Sequence, residues 1–181
     1  LDLYIGTFKL YRKRWLKMFK VIDNFLDKEI FKKIQKGILE NTYFPWYFSD
    51  YTDYLKEKGL DKGKYIHTFY ENNNSNSKYY DLLLPIVEKL KCVSLIKIKI
   101  NSTNYSDKII EGTYHIDNKY KNTKTAVYYL NTNDGYTKFK KNKKKINSVE
   151  NRMIVFDSNL EHLGTNTTNA KRRVVLNINY F

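Results

Sequence analysis

At 181 residues, with 41% hydrophobic and 16% aromatic side chains, the chain is long enough for one domain with a sizeable core and too apolar to be disordered. Lys+Arg 33 against Asp+Glu 19 gives a formal charge of +14, which is compatible with nucleic acid, but the lysines are scattered among Asn, Tyr and Ile, so charge alone names no partner. One cysteine, Cys92, excludes an internal disulfide framework. No stretch approaches the ~20 apolar residues of a membrane span, and charges break every apolar run of residues 1–20, which argues against a signal peptide; a cytoplasmic protein is expected.

Residues 1–17 are aromatic and basic without a period and are expected to be peripheral to a single domain over 1–181. Met18 to Ile22 reads as a strand. Asp27 is a candidate N-cap for an amphipathic helix carrying Ile30, Phe31, Ile34, Ile38 and Leu39. Asn41 to Tyr54, with Phe44-Pro45-Trp46-Tyr47-Phe48, is an irregular aromatic segment, either core or a cover over a substrate. His67 lies in an alternating strand, Tyr65 to Tyr70, with no second ligand beside it, and reads as an ordinary half-buried histidine. A second helix is predicted over Lys78 to Leu90, with Pro85 kinking it or opening a new turn. Ser94 to Asn101 alternates apolar and basic residues, which makes a strand with one core face and one lysine-lined face.

From Gly112 onward the pattern is short strands between polar turns, clearest at Ala126 to Asn131, Arg152 to Asp157 and Arg173 to Tyr180. With residues 94–111 these make a mainly β core with flanking helices, an antiparallel double sheet. Asp134-Gly135 and Asn142 to Asn147 are the predicted turns. The lysine run 138–145 reads as a solvated hairpin loop, with a nucleic-acid or acidic-partner contact as the alternative.

Two of the three histidines fall in this last third. On a strand His115 and Asp117 would emerge on one face, about 7 Å apart along the chain. His162 follows just past the strand ending at Asp157. Two histidines and a carboxylate on one face of an octahedron leave open positions for substrates, an arrangement associated with non-haem Fe(II) oxygenases. In the last strand Val174, Leu176, Ile178 and Tyr180 share one face and Arg173, Val175, Asn177 and Asn179 the other. The period therefore selects Arg173 over Arg172 as the arginine that would hold a dicarboxylate.

Together, His115-Ile116-Asp117-Asn118, Tyr128-Tyr129-Leu130-Asn131, Asp134-Gly135-Tyr136-Thr137-Lys138-Phe139, Asn151 to Phe156, His162 and the Arg173 strand resemble the Fe(II)/2-oxoglutarate-dependent dioxygenases, in particular their prolyl-4-hydroxylase-like branch. The resemblance covers roughly the last 80 residues; the first hundred match loosely. It implies a double-stranded β-helix (jelly roll, cupin-like), with Fe(II) on His115, Asp117 and His162 as metal ligands and catalytic centre. It also implies that the distal carboxylate of the cosubstrate 2-oxoglutarate sits on Arg173 and Tyr129. Tyr105 would be a further cosubstrate tyrosine, and Asn177 would lie near the metal. Two departures are Gly135-Tyr136 where the family has a glycine pair, and the long basic loop that follows.

The reaction implied consumes O2 and 2-oxoglutarate, releases succinate and CO2, and hydroxylates a substrate. A prolyl or other residue of a protein is the first candidate, a nucleic-acid base the second, a small molecule the third. A jelly-roll binding module without turnover is the alternative from a different class. No Gly-rich phosphate loop, paired-cysteine zinc site or nucleophile with a base at motif spacing is present.

Overall fold

The computed structural model describes residues 18–49 and 63–181; the segment 1–17 expected to be peripheral, and residues 50–54 of the aromatic segment, lie outside the described residues. Eleven strands are described: β1 (Phe19–Ile22), β2 (Tyr47–Ser49), β3 (Lys64–Glu71), β4 (Asn74–Ser75), β5 (Leu95–Asn104), β6 (Lys124–Tyr129), β7 (Tyr136–Phe139), β8 (Lys145–Asn147), β9 (Arg152–Asp157), β10 (His162–Gly164) and β11 (Arg172–Tyr180). The larger sheet has the order β1-β9-β6-β11-β5-β3-β2, with β4 hairpinned onto β3; the smaller is β10-β7-β8, and every pairing is antiparallel.

Two helices, α1 (Lys28–Gln35) and α2 (Leu84–Leu90), cover the larger sheet. Asp27 stands at the N-cap of α1 without making a side-chain cap bond, and α1 runs into one π-helical turn, Lys36–Glu40, that the apolar spacing did not signal. The second helix is two pieces, a 3₁₀ turn over Tyr80–Leu83 and then α2, with Pro85 in its first turn, where the missing N–H has no partner to lose.

Period-two alternation sorts each central strand between two cores. Ile98 and Ile100 of β5 and Val174, Leu176 and Ile178 of β11 pack against Phe31, Ile34, Ile38, Leu83 and Ile86 of the helical layer. Burying one such side chain contributes about 1.5–3 kcal/mol. The opposite face, carrying Val127, Tyr129, Ile154, Phe156 and Val175, meets Phe139 and Ile146 of the smaller sheet. Between the sheets, at the end where this second core stops, lies the cavity.

Residues 142–147, expected to be a turn, contain β8, because Ile146 is drawn into the second core. The lysine run 138–145 is the β7–β8 hairpin, and much of its charge is paired: Lys138 bonds Glu111 at 2.8 and 2.9 Å and Lys140 bonds Glu161 at 2.7 Å. Among the described residues no helix is long and apolar enough to cross a membrane.

Candidate metal centre

His115 and Asp117 do not stand on a regular strand, as the alternation argument expected. They lie on an extended segment that enters the structure through single backbone contacts. His115 exchanges two 3.0 Å backbone hydrogen bonds with His162, and the Asp117 N–H donates to Ser158 at 3.0 Å. That antiparallel bridge sets the two imidazoles side by side, with ring centroids 4.7 Å apart. His162 is buried, walled by the Phe156 ring at 4.7 Å.

Each imidazole is fixed by a carbonyl that can only accept: His115 Nδ1 lies 3.0 Å from the Thr113 oxygen and His162 Nδ1 2.9 Å from the Leu160 oxygen. Both rings therefore carry the proton on Nδ1 and present an Nε2 lone pair. These Nε2 atoms lie 3.8 Å from Asp117 Oδ1 and Oδ2 respectively. The three ligand atoms fall within 4.8 Å of one another. A first-row metal with ligands at about 2.0–2.2 Å spans neighbouring donors about 3 Å apart, so the two 3.8 Å pairs need to close by less than about 1 Å and the widest pair by less than about 2 Å. The donor set, two neutral imidazoles and one carboxylate, fits Fe(II).

The Thr125 hydroxyl donates 2.6 Å to Asp117 Oδ2; Asn179 Nδ2 in turn donates 2.9 Å to Thr125 Oγ1, and the Ser158 hydroxyl lies 3.0 Å from that oxygen. Thr125 and Asn179 face each other across β6 and β11, so sheet register delivers this support.

Deeper in the same cavity, Arg173 is 4% exposed. Its donors reach Ser148 Oγ (2.8 Å), the Thr165 carbonyl (3.2 Å) and Thr137 Oγ1 (3.2 Å), and no carboxylate among the described residues forms an ion pair with it. Burial draws the guanidinium below its ordinary value while nearby Tyr129 opposes the shift. A buried cation held only by neutral groups is costly unless an anion joins it. Thr137 Oγ1 accepts from both Arg173 and the Tyr129 hydroxyl (2.8 Å), so its own proton is left to donate elsewhere. Gly135 makes room for this arrangement: a Cβ there would stand 2.5 Å from Arg173 Cδ and 2.4 Å from the Asn166 carbonyl.

The cavity, about 430 Å³, is lined by His115, Asp117, His162, Arg173 and Asn177 of the sequence-derived set. Tyr129 is fully buried one layer behind the wall, and Thr137 takes its place at the surface of the cavity. Tyr105 is not brought in. It is half exposed, bonded toward Asp107, and absent from the cavity wall, because its backbone leaves β5 to pair with Thr167 and Lys171. Arg172 points to the helical side, over the Trp46 ring at 5.3 Å, as the period required. His67 is an internal structural group: its Nδ1 donates to the Pro45 carbonyl and its Nε2 accepts from Ser77, each at 2.8 Å. The sequence alone assigns no role to Thr125, Thr137 or Ser148, since single hydroxyls carry no pattern of their own.

No family model and no curated protein matches the chain by sequence. Solved structures do match. A prolyl hydroxylase from Trichoplax adhaerens, in complex with a hypoxia inducible factor oxygen degradation domain peptide, is 16% identical over 91% of this chain and 84% of its own, with a TM-score of 0.63. The viral collagen prolyl hydroxylase of Paramecium Bursaria Chlorella virus-1 is 13% identical over 90% and 96%, with a TM-score of 0.56. A non-heme alpha ketoglutarate dependent epimerase from nogalamycin biosynthesis is 9% identical over 97% and 83%, with a TM-score of 0.62. This chain has the jelly-roll fold of the prolyl hydroxylases and of other alpha-ketoglutarate-dependent, non-heme enzymes.

Proposed function

We propose that the protein is an Fe(II)- and 2-oxoglutarate-dependent oxygenase of the prolyl-4-hydroxylase-like branch, which hydroxylates a residue of a protein, a prolyl residue first. The observation that carries this reading is the pairing, in one cavity, of a His-x-Asp…His cluster with a buried guanidinium that has no carboxylate partner among the described residues. The peptide complex of the Trichoplax prolyl hydroxylase supports a peptide substrate, while the epimerase among the structural neighbours leaves other outcomes of the same chemistry in the fold's repertoire.

His115, Asp117 and His162 would hold the iron through Nε2, a carboxylate oxygen and Nε2. With 2-oxoglutarate bound, such iron couples consumption of O2 and release of succinate and CO2 to oxidation of a substrate C–H bond. The chain orients the reactants. Arg173 meets the distal carboxylate with paired N–H donors, Thr137 adds its free hydroxyl proton, and Ser148 and Thr165 hold the guanidinium in place. Val127 and Val175 line the cavity beside them and keep water from the charge pair.

The experiment is an oxygen-free titration of the apoprotein with Fe(II) and 2-oxoglutarate, followed through the metal-to-ligand charge-transfer band. The wild type should develop the band and His115→Ala should not. Arg173→Gln should keep metal affinity but weaken 2-oxoglutarate by about 10–100-fold, the worth of charge-assisted hydrogen bonds. A band of full strength in His115→Ala removes the ligand assignment. A band with no succinate from peptides, oligonucleotides or metabolites favours the binding-module alternative.

A further inference from the structure

Resting on the oxygenase reading above, we propose that the primary substrate carries an oxyanion, carboxylate or phosphate, that seats against Lys97 and Lys99 of β5 and Lys64 of β3. Arg173 at the deep end is enough for one dicarboxylate cosubstrate, yet the same sheet, further along β5 and β3, lines the cavity with three more cations. Strand lysines ordinarily turn to open solvent. Here Lys97 and Lys99 share the inward face of β5 with Asn101 and Thr103, and Lys64 is 7% exposed. Among the described cavity-lining residues Asp117 is the one acid, and a bound metal would claim it.

The lysines need not be bare to serve. An ammonium carries three N–H donors, so Lys97, which gives one to Glu71 at 2.6 Å, keeps two for a ligand. A second observation falls beside them. Asn177 is the cross-strand neighbour of Lys99; it lines the cavity, and its Oδ1 is buried without a hydrogen-bond partner. A buried acceptor of this kind costs about 1–3 kcal/mol until a donor arrives. The dianionic cosubstrate has no N–H or O–H to give, so the donor comes with another molecule. A substrate that presents an oxyanion to the lysines and an N–H or O–H to Asn177 answers both. At about 430 Å³ the cavity lies at the small end of ligand pockets (about 300–1,000 Å³), so what enters is a side chain or a small molecule.

The test uses protein loaded with Fe(II) and saturating 2-oxoglutarate, free of oxygen and at physiological salt. The probes are the N-acetyl, C-amide derivatives of glutamate, phosphoserine and glutamine. One of the two anionic probes should bind about tenfold more tightly than the glutamine derivative, and the better one tells carboxylate from phosphate. Lys99→Gln should abolish the preference while leaving the 2-oxoglutarate charge-transfer titration unchanged. Lys28→Gln, on the exposed face of α1, should leave the preference intact. Equal binding of the three probes, no binding, or an equal loss in Lys28→Gln overturns the proposal. An absent charge-transfer band in the wild type overturns instead the oxygenase reading on which it rests.

Discussion

Asp117 shows how much one side chain depends on partners distant in sequence. Its two oxygens each face one imidazole, and Thr125 donates to Oδ2 at 2.6 Å, so the carboxylate has a single orientation before any metal binds. Outer partners of this kind are worth about 10–100-fold in metal affinity. Thr125→Val should therefore weaken Co(II) or Fe(II) binding by about that factor and also lower apoprotein stability by about 1–3 kcal/mol, because Asn179 Nδ2 loses its acceptor, and Thr125→Ser should restore both. Equal metal affinity in the valine variant, measured by competition with a chelating dye, would remove the role. The three candidate ligands stand out by residue type, but the threonine does not. Its function follows from register with Asn179 across β6 and β11, and a lone hydroxyl has no periodicity to betray it.

At the scale of elements, β11 joins the fold to the site: one face buries Val174, Leu176 and Ile178 against the helical layer, and the other sends Arg173, Asn177 and Asn179 into the cavity. A slip of one residue would exchange the two sets, so the apolar face enforces the position of the arginine. The β2–β3 edge is secured differently, by His67, whose ring joins the Pro45 carbonyl to Ser77 and packs against Phe44 and Phe69 at 4.8 and 4.7 Å. Burial lowers its pKa below the ordinary 6.5, the Pro45 bond opposing in part. As pH falls through that ordinary value the unfolded chain takes up the proton first, so the neutral buried ring loses stability toward acid. The urea midpoint of the metal-free protein should fall more between about pH 7.5 and about pH 5.5 in the wild type than in His67→Gln. Parallel pH profiles for the two would show that the ring titrates alike in both states.

For the molecule as a whole, the +14 charge acts at long range rather than as a recognition code. Many lysines are tied to local carboxylates, among them Lys124 to Asp157 and Lys140 to Glu161. Single-stranded oligonucleotides should bind through the remaining excess and lose most of their affinity between about 50 and 200 mM salt, through counterion release, without stimulating succinate formation. Salt-resistant binding accompanied by succinate would instead move the substrate to nucleic acid.

Residue order alone determined the alternation of the strands, the amphipathic helix and its partner broken at Pro85, and the choice of Arg173 over Arg172, because each is written in spacings of two to four residues that the backbone translates directly into a face. The His115, Asp117 and His162 set was chosen by residue type and by resemblance, and its convergence belongs to the tertiary structure. Only the tertiary structure decided that β5 hands Tyr105 to the exterior, that Tyr129 stands behind Thr137, that Ser148 and Thr165 hold the guanidinium, and that Thr113 and Leu160 set the imidazole tautomers. The physical reason is range: these contacts depend on the register of strands and loops far apart in the chain, and no local period records where a distant hydroxyl or carbonyl will arrive.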